Sequence, residues 1–194
     1  MSYITESGIP DLGKIPWGSH FCQMYSTKDD LAQSLIPYFM AGLANNERCI
    51  WVTSAPYNTE DAKADFRKIL PGCGAIMREG RLKILDYTEW YTSAGSREGG
   101  ITRQWLEEEQ RSLSEGYAGL RIAGNTSFVT PSAWDAFMEY EREIDQSLSG
   151  RRIIALCSYN VNQVEPTDVF EMVRAHQFSI RRNNGFWEML DSDG

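Results

Sequence analysis

The sequence predicts an α/β fold, a mainly parallel sheet whose two faces are covered by helices. Three observations predict it. Short apolar runs rich in β-branched residues recur at 20–25, 49–54, 82–87, 120–125 and 152–159. Between them lie stretches whose apolar residues return at helical spacing, the alternation that builds βαβ units. The run Cys49-Ile50-Trp51-Val52-Thr53-Ser54 is almost continuously apolar, as a strand buried on both faces requires. A chain of 194 residues suits one domain with its own core. Hydrophobic residues at 42% and charged residues at 24% exclude a disordered chain.

Residues 1–16 are punctuated by Gly and Pro and read as an N-terminal arm, 17–190 as one domain, and 191–194 as a tail. His-Phe-Cys-Gln-Met-Tyr at 20–25 alternates and is the first strand. Ser26 and Asp29 have the spacing of a capping box, so a helix starts there and carries Leu31, Leu35, Tyr38, Phe39 and Leu43 inward. Pro37 kinks that helix and Asn45-Asn46 ends it. The second strand, 49–54, leads to a helix at 59–70 capped by Thr59, with Phe66, Ile69 and Leu70 inward. The third strand is 82–87, and a polar, aromatic loop (Asp86-Tyr87-Thr88-Glu89-Trp90-Tyr91) follows it. A helix at 99–116, built on Ile101, Trp105, Leu106 and Leu113, leads to the fourth strand, 120–125. A helix at 131–148 presents Trp134, Phe137, Met138, Ile144 and Leu148 and leads to the fifth, 152–159. Thr167 caps a helix running to about Ser179, and 186–190 is an edge strand.

The net charge of −8 repels phosphate backbones and anionic membranes, which argues against direct nucleic-acid or membrane binding. No apolar stretch reaches the roughly 18 residues of a membrane span. The first residues lack a basic segment followed by an apolar one, so they are not a secretion signal, and a cytoplasmic protein is expected. Cys22, Cys49, Cys73 and Cys157 form no C-x-x-C pair and are expected as free thiols.

Parallel sheets bind ligands beyond the carboxyl ends of their strands. Here those ends are Tyr25, Thr53-Ser54, Asp86-Tyr87, Asn125-Thr126 and Tyr159-Asn160. A phosphate-binding loop needs glycines, and 24–30 has none while carrying Asp29 and Asp30; Lys28 reads as a solvated first-turn lysine, with a relic of a phosphate-loop lysine as the alternative, and no ATP is expected. His20 and Cys22 lie two apart on a strand and share a face. With Cys157 and His176 they form a candidate metal set, against the plainer reading of buried thiols beside a hydrogen-bonded histidine. Cys157 with His176 carries no local signature of a catalytic thiol, and no G-x-S-x-G is present. Tyr87, Trp90 and Tyr91, together with Trp51, are candidate pocket walls around Asn125 and Thr126; the alternative is a loop packed on the sheet. Arg121, in a central strand, needs a buried partner, and Glu141 on the apolar helix face is the candidate.

Taken together, G-x-H-F-C-x-x-Y (18–25), C-I-W-V-T-S (49–54), D-Y-T-E-W-Y (86–91), G-L-R-I-A-G-N-T (119–126), I-A-L-C-S-Y (154–159) and A-H-Q-F-S-I (175–180) resemble the MEDS domain. This is the sensory domain of methanogen and methylotroph regulators and of the repressor DcmR. The resemblance implies a three-layer core like that of RecA and KaiC with the phosphate-binding loop lost. It implies a sensor of simple hydrocarbon derivatives, usually joined to an output module such as a histidine kinase or a helix-turn-helix. None is present in this sequence, so a single-domain member or an excised sensor is expected, signalling through a partner protein or a homo-oligomer. The implied strand order sets the Cys157 strand beside that of His20 and Cys22. The expected function is a non-enzymatic sensory domain, with no cofactor, whose ligand-binding residues are His20, Cys22, Tyr25, Trp51, Tyr87, Trp90, Tyr91, Arg121, Asn125, Thr126, Cys157 and Tyr159. The alternatives are an interaction module without a small ligand, marked by an exposed apolar patch, and a thiol-dependent enzyme, marked by a perturbed cysteine beside a histidine.

Overall fold

The computed structural model describes residues 3–94 and 100–191. Two short strands, β1 (Ile4–Glu6) and β2 (Lys14–Pro16), open the chain. There follow β3 (His20–Tyr25), α1 (Lys28–Ala44), β4 (Arg48–Thr53), α2 (Thr59–Ile69), α3 (Cys73–Arg78), β5 (Leu82–Asp86), α4 (Tyr87–Ala94) and α5 (Gly100–Ser114). The remainder is β6 (Leu120–Asn125), α6 (Trp134–Leu148) after a short turn at Pro131–Ala133, β7 (Ile153–Asn160), α7 (Asp168–Arg174), β8 (Phe178–Asn183) and β9 (Phe186–Asp191). The main sheet has the order β5-β4-β6-β7-β3-β8-β9. Every pairing in it is parallel except β8 with β9.

The strand side chains sort into two faces by their period of two. Phe21, Tyr25, Trp51, Ala123, Ile154 and Leu156 meet Leu31, Leu35, Tyr38 and Phe39 of α1 and Phe66 of α2. On the other face Ile50, Val52, Ile122 and Ala155 meet Trp90 of α4, Trp105 of α5, and Ile144 and Leu148 of α6. Beside them Cys22, Cys157 and Tyr159 meet Met138 of α6 and Met172 of α7. Among the described residues no helix is long and apolar enough to cross a membrane.

Several elements differ from expectation for identifiable reasons. The capping box of α1 is Thr27 with Asp30, one residue beyond Ser26 and Asp29. Asp30 accepts from the backbone N–H of both Ser26 and Thr27, at 3.0 and 2.9 Å, which Asp29 does not do. Helix α1 continues through Pro37 to Ala44. Helix α2 is capped by Asn58, whose Oδ1 accepts from Asp61 N at 3.0 Å. Thr59 is then free to pair with Thr53 across their hydroxyls at 2.7 Å. The expected loop at 86–91 is the start of α4, because Asp86 caps it by accepting from Thr88 N at 3.0 Å and Thr88 Oγ1 at 2.6 Å. The last helix ends at Arg174 rather than near Ser179, and Phe178–Asn183 becomes a sixth parallel strand. Ile69 and Leu113, expected inward, are exposed. The N-terminal arm is a hairpin that buries Ile9 and Ile15 in the core. Residues 1–2, the start of the helix expected from 99, and the tail 192–194 lie outside the described residues.

Candidate functional site

Strand β3 begins at His20, and its even positions face α6 and α7. Cys22 is register partner to Cys157 on β7. Helix α6 places Glu141 over this pair, and His176 follows α7. The four polar ends converge. Glu141 Oε2 lies 3.1 Å from His20 Nε2 and 3.2 Å from His176 Nε2. The Cys157 thiol donates to the same oxygen at 3.4 Å and lies 3.6 Å from His20 Nε2. The two imidazoles sit 4.2 Å apart, ring centre to ring centre. His20, Glu141, Cys157 and His176 are all buried.

Each histidine is oriented by its other nitrogen. His20 Nδ1 faces Asp145 Oδ1 at 3.3 Å, one turn beyond Glu141 on α6. His176 Nδ1 donates to the Met172 carbonyl at 2.7 Å. Both Nε2 atoms therefore point inward. His176 Nε2, although 3.2 Å from Glu141, has no partner in hydrogen-bonding alignment among the described residues.

The charges follow from burial and pairing. Burial favours the neutral Glu141 carboxyl, but His176 and His20 outweigh it and hold its pKa at about 2. Burial depresses His176, but Cys22 and Glu141 outweigh it and raise its pKa to about 9. Burial likewise opposes protonation of His20, and Asp145 and Glu141 raise its pKa. Burial and then the Glu141 carboxylate push the Cys157 thiol well above its ordinary value. At neutral pH the metal-free arrangement sets a Glu141 carboxylate against a protonated His176, with a protonated Cys157 thiol beside it. That state disfavours thiol catalysis, which requires a thiolate.

A small cavity of about 20 Å³ adjoins this cluster. Trp90 and Tyr91 of α4, Trp105 of α5, Phe128, and Phe137 and Tyr140 of α6 line it. Gly124, Asn125 and Thr126 close it at the end of β6, and Glu141 and Cys157 belong to both cavity and cluster. Tyr87 stacks on Phe128 at 4.5 Å, and Trp90 meets Trp105 edge to face at 6.5 Å. A Cβ built on Gly124 would meet nothing within 4 Å. A larger groove of about 670 Å³ lies toward the amino ends of the strands, lined by Tyr3, Trp17, Leu113, Tyr117 and residues 150–152. It holds none of the histidine or cysteine groups.

The expected site residues divide accordingly. His20, Cys22 and Cys157 come together with His176, and Trp90 and Tyr91 meet Asn125 and Thr126. Tyr87 is a second layer behind Phe128. Tyr159 packs edge to face on His176 at 5.7 Å, its buried hydroxyl unpartnered among the described residues. Trp51 does not reach the cavity; it lies on the opposite face among Phe39, Tyr57 and Phe66, because odd and even positions of β4 point apart. Tyr25 is also on that face, and its hydroxyl donates to Asn125 Oδ1 at 2.8 Å. Arg121 pairs with Glu47, not Glu141: Nε lies 2.5 Å from Glu47 Oε2, on the α1 side of the sheet. Glu141 is the site residue with the least obvious role in the sequence, where its one signal is a carboxylate within the apolar face of a helix. Asp145 follows one helical turn later. Lys28, at the phosphate-loop position, pairs with Asp61 at 2.8 Å and lies over the Tyr57 ring.

Comparison with known proteins agrees with this architecture. A KaiC-like protein, PH0186 from Pyrococcus horikoshii, superposes with a TM-score of 0.61 at 11% identity, covering 96% of this chain and 85% of that one. The flagellar accessory protein FlaH from Methanocaldococcus jannaschii superposes with a TM-score of 0.56 at 15% identity, covering 98% and 86%. At such identities the likeness establishes the fold, a RecA-like core. No curated protein matches the sequence. The family model of the methanogen/methylotroph, DcmR sensory domain matches residues 19–177, which span β3 through α7 and every member of the buried cluster, and the chain therefore belongs to the MEDS family.

Proposed function

We propose that this domain is a non-enzymatic sensor of a small, largely apolar molecule, a simple hydrocarbon derivative, bound between α4, α5, α6 and the carboxyl ends of β4, β6 and β7. The observation that carries this reading is the small cavity walled by aromatic rings, with Glu141 and Cys157 as its polar groups. At about 20 Å³ it accommodates roughly one water-sized body. A ligand of a few heavy atoms must therefore displace Phe128 or α4. Binding energy that depends on that displacement is what converts occupancy into a signal.

The protonated Cys157 thiol and the Glu141 carboxylate held between two histidines argue against catalysis. The turn before α1 argues against nucleotide binding. It has no glycine, Thr27 and Asp30 satisfy the N–H groups a phosphate would take, and Lys28 is paired with Asp61. The test is intrinsic tryptophan fluorescence during titration with dichloromethane and with methanol. A saturable change that disappears in Gly124→Leu, with the melting temperature kept, supports the reading. A wild-type protein that shows no saturable change defeats it.

A second reading concerns output. Strand β9 ends the sheet and exposes Phe186 (68%), Met189 (52%) and Leu190 (46%). An apolar edge strand favours pairing with a signalling partner or a second copy. Light scattering of wild type and Leu190→Lys tests the homo-oligomer; a monomer in both excludes it.

A further inference from the structure

We propose that His20, Glu141, Cys157 and His176 form a binding site for one zinc-like divalent ion, lying against the cavity between α6 and the sheet. The four candidate ligand atoms lie within 4.8 Å of one another, all on buried residues. Four of the six separations are 3.1, 3.2, 3.4 and 3.6 Å. A tetrahedral ion bonded at about 2.0–2.1 Å to nitrogen or oxygen and about 2.3 Å to sulfur spans ligand-to-ligand edges of roughly 3.3–3.6 Å. Four edges of the cage are therefore already near those of a first coordination shell.

A second, independent observation is the way the histidines are held. A metal-binding imidazole characteristically gives its far N–H to a carboxylate or a carbonyl, which fixes the tautomer and aims the other nitrogen at the metal. His20 does so through Asp145 and His176 through the Met172 carbonyl. His176 Nε2 is left aimed into the cluster, 3.2 Å from Glu141 but with no aligned partner among the described residues. Two imidazoles, one thiolate and one carboxylate make a borderline donor set that suits zinc, cobalt or nickel rather than calcium or magnesium. Binding releases the Cys157 thiol proton, and those carried by the imidazole Nε2 atoms, to solvent.

The proposal does not rest on the small-ligand reading, and its test uses the metal alone. Untagged protein stripped with a chelator is titrated with Co²⁺ and followed by visible and near-ultraviolet absorption. One equivalent should bind, with tetrahedral d–d bands and a thiolate-to-cobalt charge-transfer band, and Zn²⁺ should displace it. Cys157→Ser should lose the charge-transfer band, while Cys22→Ser should keep it. Asp145→Asn, altering a partly exposed residue outside the ligand set, should fold normally and weaken Co²⁺ affinity about 10–100-fold. Absence of cobalt binding by folded wild type, or a charge-transfer band lost in Cys22→Ser but kept in Cys157→Ser, overturns the assignment. So does an affinity unchanged in Asp145→Asn.

Discussion

Arg121→Met should be among the most destabilising single substitutions in this domain. The guanidinium is fully buried, and all five of its N–H groups are used. Nε and Nη2 reach Glu47 at 2.5 and 3.2 Å, Nη1 reaches the carbonyls of Ser7 and Tyr38 at 2.8 and 2.9 Å, and Nη2 reaches that of Glu6 at 2.7 Å. The group also lies 4.6 Å over the Tyr38 ring. Methionine leaves the buried Glu47 carboxylate with only the Thr5 hydroxyl, at 2.6 Å, among the partners described here. Breaking a buried pair from one side costs about 3–5 kcal/mol. At roughly 2–4 °C per kcal/mol for a chain of this size, the melting temperature should fall by about 6–20 °C. The guanidinium also ties residues 6 and 7 to the core, so limited proteolysis should cut the N-terminal hairpin first. Arg121→Met with Glu47→Met removes both charges and should recover part of the loss, while the carbonyls of Glu6, Ser7 and Tyr38 still lose the bonds that Arg121 gave them. Urea unfolding of the four proteins closes the cycle. A single variant that melts with wild type, or a double variant that loses the sum of the two singles, refutes this account of the pair.

Trp51→Ala should cost about 3–5 kcal/mol, as for other large core truncations. It should leave any response to dichloromethane intact if the protein is assayed well below its melting temperature. Trp90→Ala truncates an equally buried ring and should destabilise by a similar amount, but it should also abolish the response in protein that is still folded. Gly42→Ala should destabilise, since a Cβ there meets Arg121 Cδ and Nε at 2.7 Å and that side chain is pinned by its hydrogen bonds; thermal melting reads it. Burial acts to raise the Asp30 pKa, but the backbone N–H groups of Ser26 and Thr27 outweigh it and hold the pKa below the ordinary value. The carboxylate cap therefore contributes fully above the ordinary aspartate range and is lost as pH falls through the lowered value. Asp30→Asn should destabilise at neutral pH by about 1 kcal/mol and narrow its deficit in acid, as pH-dependent urea midpoints would show.

The layers of the fold were legible because periodicity reports burial. The runs at 20–25 and 120–125 are strands with those bounds, and those at 49–54, 82–87 and 152–159 shift by one residue. What failed was local chemistry decided by side chains competing for the same backbone groups. Ser26 and Thr27 both precede an aspartate at the right spacing, and the geometry after Tyr25 selects Thr27. The aromatic run after β5 carried no helical period long enough to be read, and Asp86 turned it into α4. Strand β8 is hard to separate from α7 in the sequence because Phe178, Ser179 and Ile180 follow the helix after only three residues. At the site, strand parity puts His20 and Cys22 on one face, and the strand order that the resemblance implies sets Cys157 beside them, as the register of β3 with β7 has it. Trp51 follows the same parity to the other face, toward α1 and α2 and away from the cavity. Arg121 pairs with Glu47 and not Glu141 because an apolar helix face announces a buried carboxylate but not the side of the sheet it covers.

The proposed sensing cavity lies among Trp90, Trp105 and the Glu141–Cys157 wall, not in the wider groove beside Trp17. Fluorine NMR of protein labelled with fluorotryptophan reports on all six tryptophans at once. On titration with dichloromethane, the Trp90 and Trp105 resonances should shift saturably while Trp17 and Trp51 hold still. Saturable movement of Trp17 with Trp90 and Trp105 unchanged would contradict the account and move the binding site to the amino ends of the strands.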